Sequence, residues 1–264
     1  MNKHLNPLRN IFIASLALST PFATMAIEDG FYAAVSIGTA DTSSSDNAGR
    51  FTTDFTTGTV TGVNPPLTLP EGADVGWNTE FDNGDTYSIV LGNKNGSGRW
   101  ELEYTEIDSD VETHTGVEAG GLALGAIDAG VLISGNVGDL GVSVADLVAA
   151  GQGSLETSGI FVNYFYDLAN SSSFTPFLGV GVGYASTDVN YRPSGVEIIN
   201  DSDDNFAYQV MAGASFSLTD NLDIVGTLRY RDFGDAEVEA SLFPATFDVE
   251  NQSTQFDIGL RYGF

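Results

Sequence analysis

The sequence contains no cysteine, two histidines and only nine basic residues among 264. Each scarcity closes off a class of function. Without cysteine there is no disulfide framework, and the one histidine outside the N-terminal segment, His114, cannot build a standard zinc site alone. The 36 acidic residues bring the formal charge to −27. That excludes nucleic-acid binding through a basic footprint, and it speaks against docking on anionic membranes through a polybasic patch. Beyond the N-terminal segment no run of eighteen or so apolar residues occurs, so helical membrane spans are excluded. A soluble secreted β-protein and a membrane β-barrel remain.

The N-terminal segment reads as a secretory signal peptide. Lys3 and Arg9 make a basic region, Ile11 to Leu18 is a short apolar run, and Thr24-Met25-Ala26 offers small residues where a signal peptidase cuts. The expected division is a leader over 1–26 and one β-barrel domain over 27–264. Setting the leader aside removes two basic residues and leaves seven against 36 acidic ones, a charge of −29.

Period-two alternation is cleanest near the C-terminus. Phe256, Ile258, Leu260, Tyr262 and Phe264 alternate with Gln255, Asp257, Gly259, Arg261 and Gly263. Leu222, Ile224, Leu228 and Tyr230 alternate with Asp223, Thr227, Arg229 and Arg231, with Val225 and Gly226 as local blemishes. Phe206 to Phe216, Leu178 to Tyr184, Ile160 to Tyr166, Trp100 to Tyr104, Tyr87 to Leu91 and Phe31 to Ile37 repeat the pattern, although Phe161 and Phe165 blur one strand. This makes about eight strands of roughly ten residues, the length a tilted strand needs to cross the hydrocarbon core.

The connections alternate between short and long. Residues 93–97, 167–173 and 217–221 are short; 41–85, 108–154, 188–204 and 234–252 are long. Outer-membrane barrels have this asymmetry, with short periplasmic turns and long extracellular loops. A Greek-key sandwich has no reason for it. The fold expected is therefore all-β: a transmembrane antiparallel up-and-down β-barrel of about eight strands, with both chain ends on the periplasmic side.

Several segments in this order resemble the small Gram-negative outer-membrane barrels of the OmpA transmembrane-domain, Opa and surface-antigen type, often described as porin-like. They are Gly30-Phe31-Tyr32, Arg99-Trp100-Glu101-Leu102-Glu103, Phe174 to Tyr184, Phe206 to Gly213, Leu228-Arg229-Tyr230-Arg231 and Gly259 to Phe264. The likeness covers the strands and not the loops. It implies an eight-stranded barrel in the outer membrane, among its lipids and lipopolysaccharide, inserted by the outer-membrane assembly machinery. It also implies that Leu260, Tyr262 and Phe264 form the assembly signal. The sequence departs from the full OmpA plan by stopping at the last strand, so a cell-wall tether is not expected.

Eight strands leave a lumen that side chains can fill. Arg229, Arg231 and Arg261 fall on inward faces, as do Glu101, Glu103, Asp223 and Asp257. Buried charges must be paired, so these seven are expected to form a salt-bridge network that plugs the lumen or gates it. The inward stripe Gly179, Gly181 and Gly183 gives room to Phe161 and Phe165, or widens the lumen. No Ser or Asp at a recognisable spacing makes His114 a catalytic base, and it is expected in a solvated loop. No catalytic residue, metal or cofactor is expected. Of the loops, the first reads as solvated and mobile. Leu122 to Ala150 is unusually apolar, with a short amphipathic helix over Val142 to Ala150. It is expected to cap the barrel, dip into the membrane interface or bind an apolar partner. Asp201-Ser202-Asp203-Asp204-Asn205 only faintly resembles a calcium loop. The reading is a non-enzymatic barrel with a structural or surface-interaction role, possessing at most a narrow pore. The alternative is a small-solute or apolar-molecule channel with 108–154 as its lid.

Overall fold

The computed structural model describes residues 29–168 and 172–264. The leader expected at 1–26 and part of the 167–173 turn lie outside the described residues. The strands are β1 (Gly30–Thr42), β2 (Ser45–Phe51), β3 (Phe55–Thr56), β4 (Thr68–Leu69), β5 (Asp74–Phe81), β6 (Gly84–Asn95), β7 (Gly98–Ala119), β8 (Leu122–Ala123), β9 (Gly153–Asp167), β10 (Phe174–Tyr191), β11 (Ile199–Ser217), β12 (Leu222–Glu239) and β13 (Ala245–Gly263). One short helix, α1 (Val144–Val148), follows β8.

Eight of these close a ring. β1 pairs with β6, β6 with β7, β7 with β9, and β9 through β13 pair in sequence, all antiparallel. β13 returns to β1, with Val35 opposite Leu260 and Thr42 opposite Ser253. Closure leaves no sheet edge, which a lipid environment requires because nothing there can satisfy an open row of backbone groups.

The ring continues beyond the membrane. Past the breaks at 43–44 and 82–83, β2 pairs with the start of β13, β5 pairs with β2, and β5 pairs with the end of β7. β2 and β5 thus take over from β1 and β6 in an extracellular tier. Much of what alternation alone leaves as loop is strand: β7 runs to Ala119, β10 to Tyr191, and β12 to Glu239. The first long connection is packed rather than solvated, with Phe51, Val60, Val63, Val75 and Phe81 buried.

The cause is a reversal of polarity along each strand. On β7 the outward residues are Trp100, Leu102 and Tyr104, then Asp108, Asp110 and Glu112; the inward ones are Arg99, Glu101, Glu103 and Thr105, then Ile107 and Val111. On β12, Ile224, Leu228 and Tyr230 face out before Asp235, Glu237 and Glu239, while Arg229 and Arg231 face in before Phe233, Ala236 and Val238. The lower half has lipid outside and a polar lumen inside. The upper half has water outside and an apolar core inside. Exposed aromatics mark both rims of the apolar band: Phe31, Trp100, Tyr166, Phe174 and Phe264 on one, and Tyr87, Tyr104, Tyr184, Phe206 and Tyr230 on the other.

Bulges adjust which side chains face inward. The β12–β13 register shifts between Asp232 and Asp235, where Gly234 has φ +74°. Phe233 and Ala236 can then both face in. A second shift, opposite Glu112, lies between Glu80–Thr113 and Phe81–Val111.

Candidate functional site: the filled lumen and its cap

At membrane depth the lumen is filled by ion pairs on two levels. In the middle, Glu103 is fully buried and central. Its carboxylate accepts from Arg229 Nη1 at 2.9 and 3.0 Å, from Asn163 Nδ2 at 2.7 Å and from Gln209 Nε2 at 3.0 Å, and it pairs with Arg231. Arg229 Nε donates to Asp257 at 2.6 Å. Arg231 donates to Gln209 Oε1 and to Thr105 Oγ1, each at 2.7 Å, and stacks on Phe161 at 5.2 Å.

Nearer the periplasm, Arg99 donates to Glu101 at 2.7 Å and to Asp167 at 2.9 Å, and lies over the rings of Phe165 and Phe177. Tyr32 Oη donates to Glu101 at 2.6 Å, and Arg261 pairs with Asp223. A cavity of about 40 Å³ lies between the two levels. That is space for a few waters, not for a hydrated ion.

All seven residues expected in the lumen are buried there, in two groups rather than one. Sequence reasoning left Arg99, Asp167, Tyr32, Asn163 and Gln209 out of the network. Arg99 was legible, because it shares its face with Glu101 and Glu103. Asp167 sits at the strand end and reads as turn. The two amides carry no charge to draw attention.

The charges nearly cancel. Arg99, Arg229, Arg231 and Arg261 face Glu101, Glu103, Asp167, Asp223 and Asp257, and half-buried Lys94 sits in the field of Asp167 and Asp223. The two remaining arginines among the described residues, Arg50 and Arg192, lie exposed in the extracellular tier near Asp74 and Glu197. The glycine stripe follows the same logic. A side chain at Gly179, Gly181 or Gly183 would collide with Phe165, Asn163 or Phe161 respectively.

Above the ion pairs, Ala40, Ile107, Phe161, Ala185, Ala207 and Phe233 form an apolar layer across the barrel. The extracellular core lies beyond it. The Leu122 to Ala150 segment packs on this core as a cap: Leu124, Ala129, Val131, Val144 and Val148 are buried. Asp128 organises it, accepting from the backbone of Gly130, Leu140 and Gly141 at 2.8–2.9 Å. These bonds, led by Leu140, hold its carboxyl below the usual range. Asp139 ties the cap to Thr61, and Ser194 Oγ donates to the Leu147 carbonyl at 2.7 Å.

His114 is not in a solvated loop. It lies in β7, is 3% exposed, and contacts Thr79 through Nδ1 at 2.8 Å. The bulge opposite Glu112 turns it inward, against the parity that Glu101 and Glu103 set. Burial pushes its imidazole down to about 4. The 201–205 segment is paired strand at the extracellular end of β11. Asp201 and Asp203 accept from the backbone of Glu239 and Glu237, and among the described residues no group of three or more His, Cys, Asp or Glu is placed to hold a metal ion.

A closed eight-stranded ring, an apolar belt with two aromatic rims and a polar filled interior define the class: this is a small outer-membrane β-barrel protein. More particularly, residues 145–264 match the family model described as "Opacity family porin protein". Outer membrane protein PagN of Salmonella typhimurium is 31% identical over 114 residues, covering 39% of this chain. The matched stretch spans 48% of PagN, about half that relative's length. Among solved structures, OprG from Pseudomonas aeruginosa superposes with a TM-score of 0.53 at 12% identity, over 90% of this chain and 99% of OprG. Neisserial surface protein A gives 0.49 at 14%, over 89% and 98%. At such identities the structures speak to the fold alone.

Proposed function

We propose that the protein is a non-enzymatic outer-membrane barrel with a closed lumen, whose role is structural or one of surface interaction through its acidic extracellular tier. The observation that carries this reading is Glu103, fully buried and joined to two arginines and two amides from three other strands. Conduction would require breaking several charge-assisted bonds at one level of the barrel. On this reading the network of Glu101, Glu103, Asp223, Arg229, Arg231, Asp257 and Arg261 is a plug that fixes strand register. Arg50 and Arg192 are too few to neutralise the carboxylates above the membrane, so a partner of the tier would be cationic. Leu260 and Tyr262 on β13 and Phe264 just beyond it are exposed on the outer side, as a signal read by the assembly machinery would be.

The cap over an apolar core favours one other reading, passage of a small solute or an apolar molecule with the 108–154 segment as lid. A liposome-swelling assay separates them. Proteoliposomes of the refolded protein should swell no faster than empty ones in small sugars or amino acids. Swelling that depends on solute size would overturn the closed-lumen reading.

A further inference from the structure

The extracellular core encloses a cavity of about 60 Å³ whose wall is almost wholly apolar. Phe51, Leu69, Trp77, Leu132 and Phe243 are among its lining residues, together with His114 and Tyr191. Those two carry the inference. Both are buried, and His114 Nε2 and Tyr191 Oη have no hydrogen-bond partner among the described residues.

The protonation state of His114 follows from its neighbours. Thr79 Oγ1 accepts from Asn47 Nδ2 at 2.7 Å and from Trp77 Nε1 at 3.2 Å. The indole can only donate. The Asn47 amide nitrogen also faces the carbonyls of Ser45 and Trp77, which fixes its orientation. With both acceptor positions of Thr79 engaged, its own proton goes to His114 Nδ1. A neutral imidazole then carries its proton on Nε2. Burial holds it neutral at pH 7. Tyr191 Oη lies near Thr79 without closing a bond, and its ring stands 5.0 Å from that of His114. The cavity wall thus holds two buried donors with no protein acceptor in reach among the described residues, groups that call for a partner from outside the chain.

We propose that this cavity is a binding site for a small, uncharged, largely apolar molecule carrying one hydrogen-bond-accepting oxygen. The apolar wall accommodates the body of the molecule, and His114 Nε2–H, with Tyr191 Oη–H, receives the oxygen. A charged ligand would be costly to desolvate in such a wall. Access is through the cap. Leu124, Val131, Leu132 and Val148 of the 122–150 segment line the cavity, and Gly120 and Gly121, both at positive φ, join that segment to β7. The site lies above the apolar layer, so it does not depend on whether the lumen conducts.

The test uses dimethyl ether and propane, molecules of nearly one size that differ by a single acceptor oxygen. Trp77 and Trp100 are the only tryptophans, so Trp100→Phe leaves Trp77 as the reporter. The protein is refolded into nanodiscs, and its fold is checked by heat-dependent gel mobility. Dimethyl ether should change Trp77 fluorescence saturably and bind about ten-fold more tightly than propane, the order expected for satisfying a buried donor. His114→Phe should abolish that preference, and Leu132→Phe should block both ligands. Should His114→Phe fail to fold, the imidazole ¹⁵N spectrum of the parent protein serves instead, with dimethyl ether expected to shift Nε2. Absence of saturable binding, equal affinities, a preference that survives His114→Phe, or an unmoved Nε2 signal would overturn the proposal.

Discussion

Glu103 sits fully buried between Arg229 and Arg231, and its surroundings show what a charge needs in order to survive there. Desolvation alone would make it untenable; two guanidinium groups and two amides offset that cost. Removing one partner of such a group leaves the others unpaired, which costs roughly 3–5 kcal/mol. Glu103→Ala should therefore lower the temperature at which the folded, fast-migrating gel species is lost, and Glu103→Gln should do so less. His114 gives a second residue-level prediction, in pH. Its ordinary value of 6.5 falls to about 4 on burial. As pH drops below 6.5 the unfolded tier takes up the proton first. The contribution, about 3 kcal/mol, is complete above pH 6.5, declines towards pH 4 and then levels off. Trp77 fluorescence in the Trp100→Phe background should report this loss, and His114→Phe should flatten that part of the profile.

At the scale of elements, strand parity made the membrane half legible. Period-two alternation located all eight ring strands and seven of the inward charges, because lipid outside and polar lumen inside contrast sharply. It did not reveal the extracellular half. There the signs reverse: Asp108, Asp110 and Glu112 face water while Ile107 and Val111 face the core, so a rule tuned to apolar-outward residues stops at Tyr104. The bulge opposite Glu112 then hides His114, and Val60 and Val63 are lost in a stretch rich in Thr, Gly and Pro. The same reversal aligns like charges. Asp85 lies opposite Asp108, Asp108 opposite Glu156, and Glu156 opposite Asp188, a row of carboxylates across four adjacent strands. Such pairs are mutually destabilising by about 0.2–1 kcal/mol each, and salt screens them. Glu156→Gln, between Asp108 and Asp188, should raise thermal stability in low salt, and the gain should vanish in about 0.5 M NaCl, where screening is strong. The cap makes a further test. With Asp128 gathering three backbone donors, protease should spare residues 122–150 on intact cells, and Asp128→Ala should expose them. Rapid cleavage of the parent protein there would contradict a packed cap.

Across the whole molecule the basic residues are apportioned by depth. Five of the seven beyond residue 26 serve the lumen, at Lys94, Arg99, Arg229, Arg231 and Arg261, and only Arg50 and Arg192 remain above the membrane. A chain this acidic therefore has a nearly neutral interior at membrane depth and an anionic surface outside. That division explains why the overall charge of −27 is no guide to the lumen. It also makes Arg229 the informative residue, since it links Glu103 and Asp257 across the barrel. The most direct test is single-channel recording of the refolded protein in a planar bilayer, alongside Arg229→Glu. The parent protein should give a silent baseline, and Arg229→Glu, by forcing like charges together at the centre of the plug, should produce conductance steps. Reproducible steps from the parent protein itself would contradict a closed lumen and make the inward Arg and Glu side chains the lining of a selective pore.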